Sequence, residues 1–64
     1  MNHKEITEKA EAVKGLGGMT VNERLVLSSL MELFDRTKIN DRGTAQYILT
    51  ALKVDQKSIE QILK

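Results

Sequence analysis

Residues 20–37 read TVNERLVLSSLMELFDRT, and the reading of this stretch decides the fold. It is the longest segment with a clear helical period, and the spacing predicts one helix across all of it. Thr20 stands three residues before Glu23, the spacing of a capping box. In that motif the hydroxyl accepts from the backbone N–H of the third helical residue, whose carboxylate reaches back to the cap. Glu23 at the start and Arg36 with Lys38 at the end suit the helix dipole. At about 100° per residue, Val26, Leu27, Leu30, Met31, Leu33 and Phe34 share one broad face. Ser28, Arg24, Glu32, Asp35 and Arg36 fall largely opposite. A stripe that broad predicts packing on more than one neighbour. Val21 and Leu25 fall outside it, on the polar side.

Upstream, residues 4–14 (KEITEKAEAVK) are helix-prone, with Ile6, Ala10 and Val13 on a thin apolar stripe. Glu5 and Lys9 form an i,i+4 pair in the favourable order. So short a helix is marginal alone. It is either a frayed arm or a helix docked on the core or on a partner. Gly15-Leu16-Gly17-Gly18 then reads as a flexible joint. It is not a phosphate loop, because no strand precedes it and neither the GxGxxG nor the GxxxxGK[ST] pattern is present. The joint divides an arm, residues 1–18, from a helical domain, residues 19–64.

Downstream, residues 38–43 (KINDRG) read as a connection, with Asn40 and Asp41 as turn and capping residues and Ile39 folding back onto the core. The acids do not follow the order of a calcium loop. A second helix is predicted over 42–53, with Ala45, Ile48, Leu49 and Leu52 in a clean stripe and Tyr47 half-buried at its edge. A third is predicted over 56–63, capped by Asp55 and stapled by Val54 and Ile59. The expected fold is all-α, a compact three-helix bundle with an additional N-terminal helix or flexible arm. Its expected core is Leu27, Leu30, Met31, Phe34, Ile48, Leu49, Leu52, Ile59 and Ile62.

The totals restrict the function classes. Sixty-four residues make one small domain, of marginal stability unless something such as oligomerisation helps. No cysteine is present, so no disulfide or thiolate metal site contributes, and a cytoplasmic location fits. The formal net charge of +1 lacks the basic excess of a general nucleic-acid binder. No apolar run reaches the roughly 18 residues of a membrane span, and the N-terminus lacks the apolar core of a secretory signal.

No residue reads as catalytic, and no cofactor or metal is expected. His3 sits at a chain end, where a base is poorly held. Ser28-Ser29 lacks a nucleophile-elbow context. Glu32 and Asp35 sit beside Arg36 and Lys38 on a solvated face. Two binding readings remain. Val21 and Leu25, with the small residues Ser28 and Ser29 one turn on, mark a candidate partner or self-association surface. Two blander readings stand beside it: the N-terminal arm covers Val21 and Leu25, or they are merely exposed. The alternative function is a helix-turn-helix over 44–64, a nucleic-acid-binding or transcription-associated module with Leu49, Leu52, Val54, Ile59 and Ile62 inward. Lys53 and Leu49 stand where that motif often has Gly and Ala. The outward residues Asp55, Gln56, Lys57, Glu60 and Gln61 are nearly neutral, which argues against phosphate binding.

Asn22-Glu23-Arg24-Leu25, Leu30-Met31-Glu32-Leu33-Phe34-Asp35, the later segment Ile48 to Val54 and the closing Ile59 to Leu63 resemble a group of short bacterial proteins of unassigned function. The resemblance covers about residues 19–64. Residues 38–43 are shorter than the acid- and lysine-rich connection of that group. It implies a small cytoplasmic helical protein and brings no ligand or activity with it. The expected function is therefore a non-enzymatic protein-interaction module, possible partners including a second copy of itself.

Overall fold

The computed structural model describes residues 2–64 and divides the 20–37 stretch between two helices. Five α-helices follow one another among the described residues. They are α1 (His3–Glu11), α2 (Val21–Leu27), α3 (Met31–Asn40), α4 (Arg42–Ala51) and α5 (Gln56–Ile62), with a 3-10 turn at Leu16–Gly18 and no strand. The chain is all-α as the patterning predicts. It is not organised around one long rod, and five short helices replace the expected bundle of three with a front arm.

The rod breaks because two leucines cannot share a side of it. Leu25 and Leu30 are five residues apart, about 140° around a straight helix. Both are buried, at 3% and 0% exposure. The chain achieves this by ending α2 in a Schellman motif. The Leu30 N–H donates to the Leu25 carbonyl at 3.0 Å and the Ser29 N–H to the Val26 carbonyl at 3.1 Å. Ser29 takes the left-handed conformation this needs, with φ of 63°. The bend turns Val26 and Leu27 outward, 56% and 59% exposed. Leu27 is therefore not the core residue the straight-helix pattern predicts. Met31 is only half-buried.

The hub is α4. It packs on α1, α3 and α5, while α2 packs on α3. Ala45, Ile48, Leu49 and Leu52 are each fully buried, so its narrow stripe touches neighbours on several sides. Phe34 and Ile59 also enter the core, at 4% and 2% exposure. The N-terminal segment is a docked helix. Asn2 caps α1 by accepting from the Glu5 N–H at 2.8 Å, and Ile6 and Ala10 are buried with the rest. Ile6 and Ala10 of the N-terminal segment thus belong to the same core as the helices of residues 19–64. The radius of gyration is 10.5 Å, near the roughly 11 Å expected of one folded body of this length.

The joints are short and ordered. Gly15 is left-handed, with φ of 80°, and starts the 3-10 turn. Asp41 alone separates α3 from α4: its N–H donates to the Thr37 carbonyl at 2.8 Å while its carboxylate caps α4. Helix α3 therefore runs on to Asn40 instead of stopping before a loop. Phe34 and Thr37 define its inner side, so Ile39, two residues past Thr37, faces out and is 81% exposed. It does not fold back onto the core. Ile62 lies at the rim, 39% exposed, because α5 is covered mainly by α4 and its inner stripe is narrow. Between α4 and α5 a second Schellman motif forms. The Val54 N–H donates to the Leu49 carbonyl and the Lys53 N–H to the Thr50 carbonyl, both at 3.0 Å. Lys53 is left-handed there, with φ of 65°. Val54 and Ile59 are both buried, as the expected staple requires.

Candidate interaction surface

The four residues named from the sequence as a partner surface do not form an outward patch. Leu25 is in the core, and Val21 packs half-buried against it. Ser28 is 4% exposed, and its hydroxyl donates to the Leu25 carbonyl at 3.2 Å. Ser29 is exposed, but its distinguishing feature is its backbone angle. The straight-helix projection put Val21 and Leu25 outside; the bend at Ser29 turns Leu25 inward.

The apolar side chains left on the surface are others. Val26 and Leu27 stand side by side at the end of α2, and Ile39 stands near the end of α3. For Ile39 a signal was available: the period that buries Phe34 and Thr37 continues to 41 and leaves 39 outside. For Val26 and Leu27 there was none, because no Gly or Pro marks the break.

Arg24 is a second residue that helical projection assigned to solvent. Its Nη1 donates to the carbonyls of Leu52 and Lys53, each at 3.1 Å, and its Nε to the Met19 carbonyl at 3.2 Å. A cation there satisfies orphan carbonyls at the C-terminus of α4 and suits that helix's dipole. It ties α2 to the α4–α5 corner.

At the front edge His3 stacks on Tyr47, with ring centroids 3.9 Å apart and planes 15° from parallel. The Thr7 and Tyr47 hydroxyls hydrogen-bond to each other. His3 is thus not a free end residue: it and Thr7 clip α1 to α4. Asp35 pairs with Lys38 at 3.6 Å, both exposed, and the Lys38 ammonium lies 5.7 Å from the Phe34 ring centre.

Three carboxylates are held below their ordinary range by capping hydrogen bonds. Glu23 is lowered by the Thr20 backbone N–H first and its hydroxyl second. Asp41 is lowered by the Thr44 hydroxyl, then by the Thr44 N–H. Asp55 is lowered by the Ser58 hydroxyl, then by its N–H. In each case the acid is occupied with its own helix.

A shallow groove of about 280 Å³ runs between the start of α4 and α5, lined by Arg42, Gly43, Gln46, Gln56, Ile59, Glu60 and Leu63. Its polar groups are of mixed sign. Among the described residues no three His, Cys, Asp or Glu side chains cluster closely enough to hold a metal ion. No helix among them is long and apolar enough to cross a membrane. Comparison of the chain with protein-family models, curated proteins and solved structures finds no match.

Proposed function

We propose that this chain is a non-enzymatic helical interaction module that associates with a second copy of itself, using the end of α2. The observation that carries this reading is the exposure of the adjacent Val26 and Leu27, at 56% and 59%. Single exposed aliphatics are ordinary. Two neighbours on a seven-residue helix, in a domain too small to waste apolar area, favour a covered surface. The test is sedimentation from micromolar to millimolar protein. The weight-average mass should rise with concentration, and Leu27→Asp should suppress the rise. A wild-type chain that stays monomeric throughout sinks the proposal.

The second reading is a helix-turn-helix built on α4 and α5. It is favoured by the left-handed Lys53, whose backbone adopts the turn conformation that Gly usually supplies in such motifs. It is opposed by the mixed charge of Lys57 and Glu60 on α5. Salt-dependent binding to duplex DNA at micromolar protein would favour it over self-association.

A further inference from the structure

We propose that the Ser29 turn is a hinge, and that two copies of the chain exchange their N-terminal segments when α2 and α3 straighten into one continuous helix. The proposal rests on the self-association reading and gives it a mechanism.

Three observations carry it. First, only one residue must change conformational region between the bent form and a straight one. Ser28 (φ −82°, ψ −5°) and Leu30 (φ −104°, ψ 0°) are already in the right-handed region and need only adjust within it, whereas Ser29 alone is left-handed. A left-handed residue with a Cβ is strained, by contrast with Gly. Second, α3 begins without a cap. Asn2, Thr20, Asp41 and Asp55 each accept a backbone N–H at the start of α1, α2, α4 and α5, whereas Leu30 offers α3 no side-chain acceptor. The start of α3 is an interruption within a helical sequence. Third, the apolar side chains exposed beside the break are those that straightening would align. On a continuous helix Val26, Leu30 and Phe34 fall at i, i+4 and i+8, with Leu27 beside them.

Straightening withdraws Leu25 from its place in the core and carries α1 away from α4. A second copy supplies the same pieces. Its Leu25 fills the vacated position, its Ile6 and Ala10 dock on α4, and its Arg24 meets the carbonyls of Leu52 and Lys53. The contacts of α1 with α4 and of α2 with α3 are remade between chains, those of α4 with α3 and α5 stay within each chain, and the two fused helices gain a face that includes Val26 and Leu27. This is the low-cost logic of segment exchange. Lys53 is not an equivalent hinge. Asp55 beyond it is extended, at ψ 154°, and caps α5, so two residues and a cap would have to change.

The test uses Ser29→Ala, Ser29→Gly and Lys53→Gly in the full chain, with folding checked by circular dichroism and dimerisation by sedimentation. Ala favours the helix over Ser, so Ser29→Ala should strengthen dimerisation by about fivefold, counting both chains. Gly favours the left-handed turn, so Ser29→Gly should weaken dimerisation by at least roughly tenfold. Lys53→Gly relieves similar strain away from the hinge and should leave dimerisation unchanged. The chain has no cysteine of its own, so Asn22→Cys with Asp35→Cys carries a pair of spin labels cleanly. Their backbone separation should reach roughly 20 Å along one axis in the dimer, at about 1.5 Å per residue, and be shorter in the monomer. Dimers that respond to Leu27→Asp but to neither Ser29 variant, with one label distance throughout, overturn the hinge and leave surface docking standing. Wild-type and Ser29→Ala chains that are both monomeric at every concentration overturn both.

Discussion

Two residues with side chains, Ser29 and Lys53, occupy the left-handed conformation at the ends of α2 and α4. Each completes a Schellman motif in which a buried aliphatic follows the turn: Leu30 after Ser29, Val54 after Lys53. The strain at each is offset by the apolar burial that the turn permits. Replacing either by Gly should stabilise the monomer against urea by about 1 kcal/mol. Unchanged midpoints for both would mean that the turns are not left-handed. Arg24 is the other residue whose role depends on a turn, since two of its three acceptors are carbonyls at the Lys53 corner. Arg24→Ala should cost on the order of 1–2 kcal/mol in chemical denaturation, because charged hydrogen bonds are lost at a partly exposed site. Neither role could be read from the sequence. Ser and Lys carry no signal for positive φ, and an Arg on a helix's polar face projects to solvent until the chain is bent.

The starts of α2, α4 and α5 were the most legible features. Thr20 with Glu23, Asp41 with Thr44, and Asp55 with Ser58 all form the capping bonds that local spacing predicts. Local chemistry was enough there because the partners are three residues apart. Helix ends were less legible. The stretch 20–37 has a sound start and a sound period, and the energy that interrupts it comes from α4 and the rest of the core, beyond its own residues. The same caps set the acid response. Each of the three carboxyl groups has a lowered pKa in the folded chain, so each binds protons more readily when unfolded. Their contribution to stability is present above the ordinary carboxylate range and is lost as pH falls through it, below about pH 4. Thermal unfolding followed by circular dichroism should show the midpoint falling across that window. Asp55→Asn retains a capping acceptor without the charge and should flatten part of the fall. A midpoint that rises on acidification would contradict the capping assignments.

At the scale of the whole molecule, the core is gathered on α4, and this decides which substitutions matter. Leu49, fully buried and an acceptor residue in the second turn motif, should lose about 2–5 kcal/mol on change to Ala, enough to unfold much of a domain this small. Leu27→Ala, at a site 59% exposed, should change monomer stability by less than about 0.5 kcal/mol. A straight 20–37 rod with Leu27 in its core predicts the reverse ranking for Leu27. Leu30, Phe34, Ile48, Leu49, Leu52 and Ile59 were legible as core, because their helices keep one inner side. Leu25 and Ile6 were not, since each is buried by a partner helix whose position no local pattern reveals.

The bend at Ser29 is the claim from which the hub, the exposed pair and the proposed hinge all follow. Backbone nuclear magnetic resonance of the monomer at low concentration tests it most directly. The account predicts a positive φ at Ser29 from its coupling constants and chemical shifts, a slowly exchanging Leu30 amide, and contacts between the Leu25 and Leu30 methyl groups. Uninterrupted helical shifts through residues 27–31, with Leu25 free of contact to Leu30, would contradict it.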